Sequence, residues 1–202
     1  MSTQPHVTFN DGRSIPQIGL GVWQTPSDVA VTAVKTALDA GYRSADIAAR
    51  VSEGSWTVVE ADLLRVADWP RHAFEEFSKW CAWLGASAVI SHQSASELHG
   101  MGSLHPQFVH VRVAGTAGPH DQRLALHRGR LVGDDIECTG TFRMTTPTRT
   151  VLDLAAGGIS QFTLDEVVAD GLMLGRLDPA ILRSRAEEAG DRVRDRVEAS
   201  LR

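Results

Sequence analysis

The chain has 202 residues, of which 43% are hydrophobic, so it can bury a sizeable core and is not expected to be disordered as a whole. Its formal net charge is −5 and no segment is basic, which argues mildly against strong nucleic-acid binding through charge alone. No apolar run approaches the roughly 20 residues of a membrane span, and MSTQPHVTFNDG lacks the pattern of a secretory signal, so we expect a cytoplasmic protein without a membrane partner.

The first fifty residues predict a hairpin, a strand, a helix and a second strand. Residues 7–18 alternate in polarity around an Asp-Gly pair, which is a hairpin-turn signal. An apolar strand with two glycines follows over residues 18–23. The next helix ends at Gly41, and residues 42–47 form a strand. This order predicts one right-handed βαβ unit.

The strings FNDGRSIPQIGLGVWQ and ALDAGYRSADIAA make residues 8–49 resemble the start of the aldo-keto reductases, which are TIM-barrel enzymes. In that family an Asp at the end of the second strand is followed five residues later by a Tyr that protonates the substrate. Asp46 matches the Asp, but Val51 replaces the Tyr, and nothing later resembles the strands that carry the catalytic Lys and His. We therefore expect a truncated βαβ unit of the TIM-barrel type, without catalysis or a cofactor.

The rest of the chain predicts alternating strands and helices. Two short strands, at 56–59 and 63–66, precede an amphipathic helix over 72–84 whose aromatic residues we assign to the core. Val109, Val111 and Val113 form the core face of a strand over 106–113. Thr146 and Pro147 begin a helix as N-cap and first residue. Further strands are predicted at 86–90, 124–128 and 137–142, and further helices at 91–100, 164–174, 179–188 and in a charged, solvent-exposed tail that runs to Arg202.

This part of the chain resembles the C-terminal domain of AbiEi-type antitoxins, which are bacterial transcriptional regulators. The resemblance covers residues 62–180 and rests on ADWPRHAFEEFSKWCAWLGASAVISHQSASELHGMG, on the strand HVRV and on TFRMTTPTRTVLDLA. It implies a type IV toxin–antitoxin system, in which the antitoxin represses its own promoter and opposes a nucleotidyltransferase toxin. In that family a winged helix-turn-helix precedes the domain, and its second helix reads the bases.

We therefore predict three parts. Residues 1–52 form an aldo-keto reductase-like fragment, and residues 53–70 form a junction that keeps only a strand remnant of the winged helix. Residues 71–202 form an α/β domain with a mixed α+β sheet and packed helices. Because the base-reading helix has no counterpart, we expect DNA binding to be impaired.

Four arginines are the predicted nucleic-acid contacts: Arg112, Arg128, Arg130 and Arg143. They lie on or beside predicted strands and, with Arg123, could form a local positive face for phosphates. The alternative is a solvated strand face without a ligand.

Other polar residues have structural explanations. His92, His99, His105, His110 and His127 lack metal-ligand spacing, so we expect capping and core hydrogen bonds and no metal. Arg149 and Asp153 are four residues apart, which favours a helix ion pair over a catalytic dyad. Cys81 and Cys138 are expected to be reduced thiols.

The leading hypothesis is an AbiEi-like regulator, not an enzyme, whose partners are its own promoter DNA and a nucleotidyltransferase toxin. One alternative is a non-functional hybrid that arose from a gene fusion or a frame error. Another is a relic of an NADPH-dependent aldo-keto reductase that lacks the catalytic Tyr, Lys and His.

Overall fold

A computed structural model describes residues 6–8, 14–16, 50–60, 63–68, 73–115 and 121–202. The chain divides into two compact units, Met1–Trp69 and Pro70–Arg202. The strands predicted at 18–23 and 42–47, the helix between them and Asp46 lie outside the described residues. The βαβ unit and the division at residue 52 therefore stay predictions.

The described part of Met1–Trp69 contains two antiparallel hairpins. Strand β1 (His6–Thr8) pairs with β2 (Ser14–Pro16) around the predicted Asp-Gly turn, which confirms the first hairpin. Strand β3 (Trp56–Glu60) pairs with β4 (Leu63–Val66), also as predicted.

Pro70–Arg202 is built on a mixed five-stranded sheet in the order β7-β6-β5-β9-β8. Strands β6 and β7 are parallel, as are β5 and β9, whereas β5–β6 and β8–β9 are antiparallel. The mixed sheet confirms the fold class expected for this part, and the buried Val109 and Val111 confirm the predicted core face of β6. The strands are β5 (Val89–Ile90), β6 (Val109–Val113), β7 (Leu124–Arg128), β8 (Ile136–Cys138) and β9 (Arg143–Thr145).

The single strand predicted over residues 137–142 is wrong. Strand β8 ends at Cys138, and the chain turns back into β9. Thr139 N–H donates to the Phe142 carbonyl at 3.0 Å, and Gly140 has a φ of +92°, which suits a turn and not a strand. The alternating pattern of ECTGTF hides this turn because polar threonines flank the glycine.

Helix α1 (Glu75–Leu84) covers one face of the sheet and begins three residues later than predicted. Trp80 is fully buried beside Cys81, Ile90 and Val111, which confirms the assignment of this aromatic side chain to the core. Phe74 is the exception, since it precedes the helix and is 49% exposed.

The second core cluster is mainly helical. Helix α3 begins as predicted, with Thr146 as N-cap and Pro147 first. Val193 and Val197 of α6 are buried, so the tail is amphipathic and not wholly exposed. None of the described helices has the length and apolar character to cross a membrane. The helices are α2 (His92–Leu98), α3 (Pro147–Gly157), α4 (Gln161–Met173), α5 (Pro179–Glu188) and α6 (Asp191–Ser200).

Candidate functional site

Two predicted arginines share the face of the sheet opposite helix α1. Arg112 on β6 pairs with Val89 on β5 and with His127 on β7. Because Ile90 pairs with Met144, Arg143 lies beside Val89 on the other side. Arg112 and Arg143 are therefore separated by a single strand.

These two arginines and Arg130 line one groove, which encloses about 190 Å³. The described residues that line it include no carboxylate. Three of the four predicted arginines thus come together, and the fourth, Arg128, is exposed beside the groove without lining it. Arg123 lies elsewhere: it pairs with Asp121 at 2.7 Å, and its guanidinium lies over the Trp80 ring. The rest of the groove is formed by Ser87, Val89, Ala114, Gly129, Leu131 and Ile136.

Arg112 is held from behind by a buried carboxylate. Its Nη2 donates to Asp153 Oδ1 at 2.7 Å, and the two side chains are only 12% and 1% exposed. Arg149 donates to the same oxygen through Nε at 2.9 Å and Nη2 at 2.7 Å, which confirms the predicted helix ion pair. Burial raises the pKa of the Asp153 carboxyl, and it outweighs the opposite effect of Arg149 and Arg112.

A second buried aspartate extends this network, and the sequence did not indicate it. Asp135 ends the short 3-10 helix Gly133–Asp135 and is 2% exposed. Its carboxylate oxygens lie 2.6 Å from Arg185 on α5 and 3.6 Å from Arg149 on α3. Because Asp135 sits in a polar loop between two strands, no periodic pattern marks it as buried. The network fixes Arg112 through elements that are distant in sequence.

Three histidines stack next to Arg112. The His92 and His127 rings lie 3.5 Å apart between centroids, and His110 Nδ1 is 3.0 Å from His127 Nε2. Burial, then the neighbouring His127 and Arg112, lowers the pKa of His92 to about 2. Burial and the nearby His110 lower the pKa of His127 to about 4, and burial also lowers the pKa of His110. The imidazoles are therefore neutral at pH 7.

Of the other two candidate histidines, only His99 makes the core hydrogen bond that the sequence suggested. His99 is buried and its Nε2 lies 2.7 Å from the Thr145 carbonyl oxygen, as a core hydrogen bond requires. His105 is exposed, with Nδ1 3.3 Å from Glu97. Within the described residues, no group of three or more His, Cys, Asp or Glu side chains is placed to hold a metal ion.

Both cysteines are free, as expected. Cys138 is exposed, whereas Cys81 is buried and burial raises its pKa to about 12. Cys81 therefore stays a protonated thiol of the core. Val51, the residue in place of the reductase tyrosine, lies in a short helical segment and is half-buried.

Comparison with known proteins supports the antitoxin resemblance but places it later in the chain than the predicted range of residues 62–180. Residues 87–201, more than half of the chain, match the family model described as the AbiEi antitoxin C-terminal domain. A different class of protein matches a stretch of 45 to 49 residues.

The relatives of that shorter stretch are aldo-keto reductases. It is 62% identical over 45 residues to an aldo-keto reductase of Mycolicibacterium smegmatis, covering 22% of this chain and 16% of that protein. It is 45% identical over 49 residues to the methylglyoxal reductase DkgA of Escherichia coli, covering 24% of this chain and 18% of that protein. The chain thus spans less than a fifth of the length of these curated relatives.

Proposed function

Because the chain belongs to the AbiEi antitoxin family through its C-terminal domain, we propose that it is an antitoxin-like transcriptional regulator of a type IV toxin–antitoxin system. The match over residues 87–201 carries this proposal, and it falls within Pro70–Arg202, the unit that holds the sheet and both core clusters of the described residues. The partners are its own promoter DNA and a nucleotidyltransferase toxin that it antagonises in the cytoplasm.

Two exposed arginines are the proposed contacts to DNA phosphates: Arg130, which lines the groove, and Arg128, which does not. Arg128 and Arg130 are exposed and have no ion pair among the described residues. Arg112 is held by Asp153 and is largely buried, so a duplex reaches it poorly. Phosphate contacts supply affinity without reading sequence. Since a reductase-like segment precedes the domain in place of the winged helix, we expect weak binding that is sensitive to salt.

A gel shift of the full chain on its own upstream DNA, at two salt concentrations, tests transcriptional control. Residues 53–202 run in parallel and show whether the reductase-like segment contributes. Replacing Arg128 and Arg130 together with Ala should lower affinity at low salt and reduce the salt slope by about two, one for each lost phosphate contact. The double variant Arg183→Ala/Arg194→Ala, on α5 and α6, is the matched control and should keep the slope.

No retardation at low salt would remove transcriptional control from the proposal and leave toxin antagonism. That second activity is tested by co-expression with a nucleotidyltransferase encoded beside this gene. Rescue of growth supports an antitoxin, and unrelieved toxicity contradicts it.

A nicotinamide-binding relic is the second candidate function, favoured by the 62% identity of 45 residues to an aldo-keto reductase. One βαβ unit does not close a barrel, which takes eight strands and about 250 residues. We therefore expect saturating NADPH to leave the melting temperature and the tryptophan fluorescence unchanged. A reproducible shift of either would establish a residual cofactor site.

A further inference from the structure

We propose that the groove formed by Arg112, Arg130 and Arg143 binds the terminal phosphate group of a small ligand such as a nucleotide. This site goes beyond the regulatory function proposed above, because that function needs only phosphate contacts along a DNA duplex. The chemical class of the ligand is a phosphomonoester or diphosphate.

The charge of the groove is the first argument. Among the described residues, Arg130 makes no hydrogen bond or ion pair, and the Arg143 side chain has one hydrogen bond, to the Ala88 carbonyl at 3.3 Å. The groove wall has no carboxylate in the described chain, and of the three groove arginines only Arg112 is paired with Asp153, which it shares with Arg149. Guanidinium groups that share a concave surface without a counter-charge repel one another. An anionic ligand would relieve this repulsion.

Spacing is the second argument. Arg112 on β6 and Arg143 on β9 lie on either side of Val89, which belongs to the intervening strand β5. Their Cα atoms are therefore about 10 Å apart, which is two strand spacings. An arginine side chain spans more than half of that distance, so both guanidiniums can reach an anion above Val89. The planar guanidinium forms paired hydrogen bonds with phosphate oxygens, which suits this arrangement better than a single point charge does.

The third argument is that the absence of a side chain at Gly129 leaves room for the Arg112 guanidinium. Gly129 has a φ of +147°, and a Cβ at this residue would lie 2.6 Å from Arg112 Nη1. Any other residue would therefore displace the guanidinium that Asp153 holds from behind. Arg112 Nε is buried and has no hydrogen-bond partner in the described structure. An unpaired buried donor destabilises the folded protein, so an acceptor that reaches it would be stabilising.

The size of the groove favours a terminal phosphate over a duplex backbone. A volume of about 190 Å³ accommodates one or two phosphate groups. Arg112 lies at the floor and is 12% exposed, so only a group that enters the groove reaches it. A phosphate inside a duplex carries a sugar on each side, whereas a terminal phosphate presents its oxygens at a free end.

Isothermal titration of the full chain with inorganic pyrophosphate tests the site. We expect saturable binding that Arg143→Gln and Arg130→Gln each weaken at least tenfold. Arg176→Gln removes the same charge from an exposed residue outside the groove lining, and it should change affinity less than twofold. Gly129→Ala keeps every charge but displaces Arg112, so it should also weaken binding. Each variant is first shown to unfold cooperatively. If Arg143→Gln does not fold, the test rests on Arg130→Gln, because Arg130 is exposed.

Matched ligand pairs identify the source of the phosphate. AMP is compared with adenosine, and a 12-nucleotide single strand with a 5′-phosphate is compared with its 5′-hydroxyl form. Binding of AMP assigns the groove to a free nucleotide, and binding of only the phosphorylated strand assigns it to a nucleic-acid end. The proposal is overturned if pyrophosphate does not bind at 10 mM concentration, on the order of the weakest specific affinities. Equal binding of the 5′-hydroxyl strand, or an equal loss in Arg176→Gln, would also overturn it.

Discussion

At the residue scale, Asp153 shows how this domain fixes a charge in its interior. Its Oδ1 accepts three hydrogen bonds from Arg112 and Arg149, while Oδ2 has no partner among the described residues. Removing the carboxylate charge would leave Arg112 without a carboxylate partner among the described residues and Arg149 with only Asp135, at 3.6 Å. Breaking one side of a buried ion pair costs about 3–5 kcal/mol, more than replacing the whole pair.

Asp153→Asn should therefore lower the free energy of unfolding by about 3 kcal/mol. Asp195→Asn is the matched control, because its partner Arg194 is on an exposed helix surface, and its effect should stay within about 0.5 kcal/mol. Urea denaturation of both variants measures the difference. Equal effects would contradict the structural role given to Asp153.

The stack of His92, His110 and His127 predicts acid sensitivity. Their pKa values are lowered in the folded protein, so the unfolded chain binds more protons once the pH falls below about 6.5. The contribution of these neutral histidines to the free energy of unfolding is fully present above that pH. It is lost as the pH falls, by up to about 1.4 kcal/mol per pH unit for each histidine. Urea denaturation at pH 7.5, 6.0 and 5.0 measures this slope.

His92→Asn should reduce the slope of the free energy of unfolding against pH by the contribution of one histidine. Asparagine tolerates the left-handed backbone at this position, where φ is +49°. His105→Asn is the control, because His105 is also left-handed, with φ of +42°, but its side chain is 85% exposed. A slope that His105→Asn reduces as much as His92→Asn would refute the assignment.

At this scale the sequence predicted a contact between residues close in the chain, but not the contacts between residues far apart. The Arg149–Asp153 pair follows from a spacing of four residues on a helix. The Arg112–Asp153 contact joins residues 41 apart, and the histidine stack joins α2 to two strands. Local periodicity carries no information on such contacts, so the site had to come from the fold.

At the element scale, the start of α3 was predicted correctly, whereas the turn between β8 and β9 was missed. Thr146 and Pro147 mark the start of α3 because N-caps and first-turn prolines have local chemistry. The β8–β9 turn was missed because its sequence keeps the alternation of a strand, and only the positive φ of Gly140 distinguishes it.

Two helical glycines give an opposed pair of predictions. A Cβ on Gly171 of α4 would lie 2.4 Å from Leu177 Cδ1 and 2.9 Å from Met101 Sδ, so Gly171→Ala should destabilise by about 1–3 kcal/mol. A Cβ on Gly157 of α3 would meet His92 at 3.6 Å, an ordinary contact, so Gly157→Ala should stabilise by about 0.5 kcal/mol. Thermal and urea unfolding measure both. The same sign for the two variants would contradict the packing described around Gly171.

At the scale of the whole molecule, the sequence predicted the mixed sheet and the joining of two families. It did so because each family has its own strings of residues, which need no knowledge of contacts. The strand order β7-β6-β5-β9-β8 did not follow, because pairing between distant strands is set by long-range packing, such as the contacts of α1 and α2 with β6.

Residues 70–202 should fold without the preceding segment. The core clusters of the described residues, from Trp80 to Val197, lie wholly within this unit. A fragment of residues 70–202 should therefore unfold in one cooperative transition, within a few degrees of the main transition of the full chain. Broad, non-cooperative melting of the fragment, seen by circular dichroism, would show that the unit depends on what precedes it.

This placement of the core has an evolutionary consequence. A genetic event that exchanges the sequence upstream of residue 70 removes no side chain from either core cluster. Purifying selection that acts through folding and proteolysis would therefore tolerate recombination at this point, whatever the new segment encodes. A reading frame that joins reductase-like codons to an antitoxin C-terminal domain can persist on these terms.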